Sequence, residues 1–254
     1  MAHPEQREFI RLAIATITDQ STLRRVIEIG SFDVNGEIRS LFEHIDLEVY
    51  VGVDLTEGPG VDVVSLGHEL QLDGEYFDLA ISVECFEHDQ FWPLTFAKMV
   101  ELLKPGGWLV FTCASTGRPE HGTSRSDPSL SPGTSSRGFE YYKNLSEQDF
   151  LARSQVDQKF SGYQFVANND VFDLYFIGQK GDGVARGSTQ NFIGESQIKA
   201  IRDLTPAVHV LIRLPLKVCA HLFSEKAYQE FAYRYWKTLN SLQRRFLDSK
   251  FSRS

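Results

Sequence analysis

The stretch that most constrains this chain is residues 26–36, VIEIGSFDVNG. Val26-Ile27-Glu28-Ile29 is a β-branched apolar run of the kind that forms a strand buried on both faces of a parallel sheet. It ends at Gly30, and a helix-compatible segment, Glu37-Ile38-Arg39-Ser40-Leu41-Phe42, follows. Strand, glycine-bearing turn and helix make the corner at which doubly wound α/β sheets hold a nucleotide across their strand ends. Glu28 is an odd neighbour for a phosphate, because it repels the anion that a helix N-terminus attracts. It suits a ligand with positive charge, such as an ammonium or a sulfonium.

The flanking pattern extends the same architecture. Residues 49–54 (VYVGVD) read as a second strand ending in Asp54, 24 residues after Gly30. That is close to the spacing at which such folds place a carboxylate on ribose hydroxyls. Gly58-Pro59-Gly60 is a turn, residues 61–64 a short third strand, and residues 77–83 (FDLAISV) a fourth, with Cys85-Phe86-Glu87-His88 beyond its end. A helix over 92–103 is stopped by Lys104-Pro105-Gly106-Gly107, and residues 108–113 (WLVFTC) are a fifth strand. Ahead of the first strand, apolar residues from Phe9 to Ile17 recur with a helical period. Ser146 caps a helix over 147–152. The apolar runs 163–167 and 171–177 flank Asn168-Asn169-Asp170, which is hairpin chemistry. Residues 114–137 are dense in Ser, Thr, Gly and Pro; a loop of that length is a lid or binding loop rather than a connector.

Length and charge limit the classes. The 254 residues suffice for one full α/β domain, assigned to 1–181, plus an appendage over 182–254. The appendage holds 12 Lys/Arg and 6 Asp/Glu (+6), which leaves 14 and 28 (−14) for the body, out of 26 and 34 in all. An acidic body argues against a nucleic-acid partner. Three scattered cysteines, Cys85, Cys113 and Cys219, give neither a disulfide framework nor zinc-ligand spacing, so a reducing, cytoplasmic setting is expected. The first residues lack the basic start and apolar core of a secretory signal, and no run reaches the roughly 18 apolar residues of a membrane span.

Four features in order carry a resemblance: Glu28-Ile29-Gly30; Asp54 closing the second strand; Phe77-Asp78 opening the strand that leads to Glu84-Cys85-Phe86-Glu87-His88; and Leu103-Lys104-Pro105-Gly106-Gly107 before the fifth. Over about residues 25–181 the chain resembles the class I S-adenosylmethionine-dependent methyltransferases, the small-molecule kind (type 11-like) above all. The resemblance implies a Rossmann-like, doubly wound, seven-stranded α/β sheet with an antiparallel terminal hairpin, to which this chain adds a C-terminal helical appendage. It also implies S-adenosyl-L-methionine as cofactor. Glu28 would then face the methionine ammonium, Gly30 and Ser31 would admit the backbone, and Asp54 would accept from the ribose hydroxyls. Leu55, Leu66 and Gly67 would line the adenine, and Val83 and Glu84 would lie beside the transferred methyl. The chain departs from the usual Glu-x-Gly-x-Gly-x-Gly turn: Phe32 stands at the second glycine, and the last glycine, Gly36, comes two residues late beside Asn35. Leu66-Gly67 stands where the family often has Asp-Ala. The rival dehydrogenase fingerprint Gly-x-Gly-x-x-Gly is not matched by residues 30–35.

Methyl transfer is an in-line displacement at a sulfonium, in which alignment does much of the work; a base is needed only for a poorly acidic hydroxyl or a protonated amine. The candidates are His121, His88 and Arg118, all at strand carboxyl ends or in the loop that follows. His88 alternatively holds its own loop, and Arg118 either binds an acidic acceptor or pairs with Glu120. No carboxylate cluster of the magnesium-holding sort and no Gly-x-Ser-x-Gly elbow is evident, so no metal is expected.

In the appendage, residues 207–223 are apolar apart from His209, Arg213, Lys217 and His221, one stripe at every fourth residue, with Pro215 expected to kink or split the helix. This fits a helix at an anionic membrane surface. It also fits one packed on its own domain or on a second subunit with its basic edge in water, the arrangement expected here. Tyr228, Ala232, Tyr235, Leu239, Leu242 and Phe246 form a heptad-like seam, suited to dimerisation or to capping the acceptor site. The expectation is O-methylation of a small molecule or sugar. A macromolecular or membrane-bound glycan acceptor and a non-catalytic cofactor-binding module are the alternatives.

Overall fold

The computed structural model describes residues 3–251 apart from 35, 73, 75 and 183–186; the side chains of residues 135, 136, 240 and 242–251 also lie outside the description. In chain order the elements are α1 (Pro4–Gln20), β1 (Arg25–Ile29), β2 (Val49–Asp54), β3 (Val63–Val64), β4 (Phe77–Val83), α2 (Trp92–Leu102), β5 (Leu103–Ala114), α3 (Pro132–Ser136), α4 (Glu147–Ser154) and α5 (Val156–Lys159). They continue with β6 (Phe160–Asn168), β7 (Asp173–Lys180), β8 (Ser188–Thr189), α6 (Glu195–Asp203), α7 (Ala207–Leu222) and α8 (Glu225–Phe251).

The strands form one sheet in the order β3-β2-β1-β4-β5-β7-β6-β8. Strands β1 to β5 are mutually parallel, and β7 runs antiparallel between β5 and β6. Strand order reverses between β1 and β4, which opens a crevice at their carboxyl ends. The sheet has eight strands rather than seven: β8, past the expected end of the domain at 181, pairs with β6.

Alternation along β1 splits the core into two layers. Ile27 and Ile29 pack on one face with Phe96, Phe111, Phe150 and Phe176, while Val26 faces the other with Phe9, Ile14, Ile81 and Tyr175. On the first face Phe111 stacks on Phe150 (4.5 Å) and on Phe176 (5.0 Å). Asp78 clasps the start of the sheet: Oδ2 accepts the backbone N–H groups of Arg24 (3.0 Å) and Arg25 (2.8 Å), and Oδ1 pairs with Lys104 at 2.7 Å. The Phe-Asp motif at this strand is therefore structural.

The first crossover differs from expectation. The segment after the glycine turn makes a single 3-10 turn, Arg39–Phe42, instead of an α-helix. The wide turn uses up much of the connection, and Arg7 of α1 reaches across to the Glu37 carbonyl and to Ser40 Oγ (2.8 Å), tying what remains to the body.

The tail lies on the hairpin loop, with Leu216, Tyr228 and Ala232 buried around Phe172. Pro215 lies inside α7 without ending it. The stripe expected to face water divides: His209 and His221 are exposed, and its two middle residues are not. Arg213 and Lys217 turn inward onto Asp170, at 2.9 Å to its carbonyl and 2.6 Å to Oδ1. Outward go Val208, Leu211, Leu214, Val218 and Leu222, between 53% and 72% exposed. Asp170 is the reason: its half-buried carboxylate takes Lys217 and its backbone carbonyl takes Arg213, which leaves the apolar stripe in water. Of the seam on α8, the side chains of Leu242 and Phe246 lie outside the described residues.

Candidate functional site

The crevice between β1 and β4 widens into a cavity of about 880 Å³, open to solvent and walled by Gly30, Asp54, Leu55, Leu66, Gly67, Val83 and Glu84 together with Phe32, Phe91 and Cys85. Seven of the nine residues expected to hold the cofactor thus meet in one place. Gly30 turns with φ +84°, and an added Cβ would come within 2.6 Å of Cys85 Cβ, so no side chain is tolerated. Gly67 is equally confined, by Thr95 Cγ2 at 2.5 Å. Asp54 is oriented by backbone donors: Phe32 N to Oδ2 (3.1 Å) and Leu55 N to Oδ1 (2.6 Å). Burial raises its carboxyl above the ordinary value despite those bonds.

Glu28 and Ser31 are the two that do not line this cavity; both open into a neighbouring recess with Arg39 and Glu37. Strand geometry sets Glu28 apart from the other residues expected to face the ligand. Its side chain points to the same face as Val26, away from Ile29, and accepts the Tyr50 hydroxyl at 2.6 Å. Burial pushes its carboxyl up to about 7, with the Tyr50 hydrogen bond acting against that rise.

A second chamber, of about 780 Å³, adjoins the first and shares Glu84, His88 and Leu130 with it. His3, Arg118, His121, Phe172, Arg213 and Trp236 complete its walls. All three predicted catalytic residues lie here, and the appendage supplies two wall residues. Glu84 reaches both chambers through an unusual backbone at the end of β4, φ +51°, a conformation that non-glycine residues adopt at a cost and that clusters at working sites. His88, His121 and Tyr142 pack edge to face with centroids 5.0–5.4 Å apart. Burial lowers the His88 imidazole to about 3 and holds His121 well below its ordinary value. Both rings are therefore neutral at physiological pH, and the same burial weakens them as proton acceptors.

Arg118 is held by four partners: His3 Nε2 at 2.7 Å, the Val171 carbonyl at 2.8 Å, Asp173 at 3.2 Å and Glu84 at 3.9 Å. Burial opposes its charge, and Asp173 and Glu84 more than offset that, so the guanidinium stays firmly protonated. The predicted pairing with Glu120 does not form; Glu120 pairs with Arg125 instead. Two residues that the sequence reading did not assign belong to this cluster, Glu87 and Asp173, 0% and 1% exposed. With Glu84 they form a group of buried carboxyls, two of which pair with the Arg118 guanidinium. Asp173 was detectable as an acid inside the apolar run 171–177.

The 114–137 loop folds over the first cavity, where Leu130, Ser131, Pro132, Gly133 and Thr134 form part of the wall. Arg137 donates to the Leu55 carbonyl (2.8 and 3.0 Å), which fastens this lid beside Asp54.

The sequence model of a methyltransferase domain matches residues 37–111 of this chain. That match marks residues 37–111 as part of a methyltransferase domain, and the doubly wound sheet with a cavity at its switch point is the architecture of the class I S-adenosylmethionine-dependent methyltransferases. Solved structures similar to it include the 1,6-didemethyltoxoflavin-N1-methyltransferase of Burkholderia thailandensis, with 17% identity, 70% of this chain and 80% of that one covered, and TM-score 0.48. Others are the N-methyltransferase NodS of Bradyrhizobium japonicum (14% identity, 70% and 88% covered, TM-score 0.47) and a S-adenosylmethionine-dependent methyltransferase of Mesorhizobium loti (17%, 70% and 98%, TM-score 0.45). No curated protein matches the chain in sequence.

The cavity's residues fit the cofactor. The apolar walls from Leu55, Leu66 and Phe91 suit adenine, Asp54 suits the ribose hydroxyls, and Gly30 lets the backbone approach the amino-acid end. Bound there, S-adenosylmethionine supplies an electrophilic methyl on a sulfonium.

Proposed function

We propose that the chain methylates an oxygen of a small hydroxylated acceptor that also carries an acidic group. The observation that supports this most is the junction of the two chambers at Glu84 and His88, with the cofactor's residues on one side and polar groups on the other. On the acceptor side Arg213 is half-buried, and among the described residues its side chain donates to the Asp170 carbonyl rather than to a carboxylate; it is the cation best placed to take an acceptor's negative charge. His88 and His121 face the same chamber. Burial weakens both histidines as bases, which favours a hydroxyl already acidified, such as a phenol or enol. Turnover of a panel of phenolic, enolic and aliphatic alcohols, each with and without a carboxylate, tests the reading. Equal rates for acidic and neutral acceptors, or methylation only at nitrogen, would overturn it.

A second reading has the acceptor presented at a lipid surface on the cytoplasmic side. The outward apolar stripe of α7 supports it: Val208, Leu211, Leu214, Val218 and Leu222 are exposed, on an appendage carrying +6. An interfacial helix buries such a face about 5–10 Å into the headgroup boundary and gains from anionic lipid. No described helix is long and apolar enough to cross a membrane. Flotation of the full chain with anionic but not zwitterionic vesicles, lost in Leu211→Asp, is the expected result. A concentration-dependent dimer that Leu211→Asp dissolves, without flotation, would assign the stripe to a second copy instead.

A further inference from the structure

Beneath the acceptor chamber the chain buries three carboxyl groups beside one guanidinium. Glu84, Glu87 and Asp173 are 9%, 0% and 1% exposed, and Arg118 is the cation paired with two of them among the described residues. One carboxylate oxygen of Glu87 takes the Ala114 N–H at 3.2 Å. Its other oxygen, Oε2, is buried with no hydrogen-bond partner, and so is Nδ1 of the neighbouring His88. An unpartnered buried polar atom costs on the order of 1–3 kcal/mol, and more when charged, so two adjacent ones ask for a missing partner.

We propose that Glu87, His88 and His121 form a binding site for one divalent transition cation of the zinc type. One ligand atom from each residue lies within 4.8 Å of the others. Around a shared ion with bonds of about 2.0–2.1 Å, tetrahedral ligand atoms stand about 3.4 Å apart, so closing the site takes a shift of about 1.4 Å at most. The imidazole of His121 is already set for the task. Its Nδ1 lies 3.2 Å from the Pro119 carbonyl, which can only accept, so Nδ1 carries the proton and Nε2 keeps its lone pair. A backbone carbonyl holding the distal ring nitrogen is the usual device that orients a metal-bound histidine.

The donor set decides the class of cation. Two imidazoles and one carboxylate suit zinc, cobalt, iron(II) or manganese, whereas magnesium and calcium favour all-oxygen cages. A dication would also give Glu87 Oε2 the partner it lacks. His88 and His121 both face the acceptor chamber, so the open coordination positions point to where an acceptor oxygen enters. Three protein ligands with an open position describe a catalytic rather than a purely structural site.

The competing account is a proton shared between Glu84 and Glu87, which would satisfy the same oxygens without an ion. Titration of the chelator-treated full chain with cobalt(II) separates the two, because bound cobalt shows visible ligand-field bands and its stoichiometry can be read without turnover. One equivalent is expected, displaced by zinc and not by magnesium. His121→Ala and Glu87→Gln should each weaken binding at least tenfold; the latter keeps the oxygen that accepts the Ala114 N–H, which guards the fold. His44→Ala, at an exposed site, should bind as wild type, and the thermal unfolding midpoint of each variant checks that it folds. Absence of the cobalt spectrum in the wild-type chain would overturn the proposal. So would cobalt affinity unchanged in a folded His121→Ala variant, or an infrared band of a protonated carboxyl that persists under saturating zinc.

Discussion

The two chambers that meet at Glu84 are built in opposite ways. The cofactor cavity draws its defining residues from the ends of adjacent strands, so Gly30, Asp54, Leu66 and Val83 are placed by the sheet register itself. The acceptor chamber gathers residues from α1's cap (His3), the lid loop (Arg118, His121), the hairpin (Phe172) and both tail helices (Arg213, Trp236). The first is a property of the fold and serves a cofactor. The second is a property of this chain's loops and appendage, which is where a particular substrate is chosen. Substitutions in the first should therefore abolish donor binding, and those in the second should alter acceptor use with donor binding intact.

The largest effect is expected at Gly30. Alanine there must take φ +84° and bring Cβ within 2.6 Å of Cys85 Cβ; left-handed strain and overpacking cost about 1–3 kcal/mol each. Calorimetry should show affinity for S-adenosylhomocysteine down by about 100-fold or more. Retained binding would mean that the cofactor does not use this corner. Next comes Asp54→Ala, which removes a carboxylate held by two backbone donors. Charge-assisted hydrogen bonds contribute about 1.5–3 kcal/mol, so a loss of about 10- to 100-fold is expected. Recovery in Asp54→Asn of only part of that loss would locate the effect in the charge.

Arg213→Ala probes the other side. It should raise the acceptor KM by about tenfold, in keeping with one charged hydrogen bond, while donor affinity stays within experimental scatter. A parallel loss of donor affinity would erase the distinction between the chambers. Arg213 also shows why the acceptor side was harder to foresee. In sequence it belongs to a regular basic stripe on α7, and periodicity alone sends such a stripe to water. The deciding group is Asp170, 43 positions away, a tertiary partner that no local pattern announces.

The cofactor corner was legible for the converse reason. Strand limits at 49–54 and 77–83 coincide with the observed β2 and β4, because continuous apolar runs bounded by turn residues leave little freedom. Hairpin, lid and capped α4 also follow from local chemistry, with Ser146 accepting the Asp149 N–H as its position suggests. What local chemistry misjudged was the first crossover, where helix-compatible residues form only a 3-10 turn under the hold of Arg7. The carboxylate cluster escaped because Glu87 bonds Ala114 of β5, which stands opposite Asp173 of β7, a proximity made by strand pairing and not by spacing.

Glu28 offers the smallest effect on donor affinity and the sharpest test of side-chain direction. A strand buried on both faces has no alternation of polar and apolar residues, so its sequence cannot say which face opens onto the cavity. The structure turns Glu28 toward Tyr50, and Glu28→Gln should change S-adenosylhomocysteine affinity by less than about threefold, under 1 kcal/mol. Its larger consequence is for pH. The carboxyl is raised from 4.5 to about 7 in the folded chain, so the folded state holds this proton more tightly than the unfolded one does. The stabilisation is complete below the unfolded value and lost as pH rises through about 7, up to about 3 kcal/mol in all. Glutamine keeps an oxygen for the Tyr50 hydroxyl but cannot ionise. Denaturant unfolding from pH 4.5 to 8 should therefore show wild type losing stability relative to Glu28→Gln as pH rises. Parallel curves for the two proteins, or a tenfold loss of donor affinity in the variant, would return Glu28 to the cofactor side of the comparison.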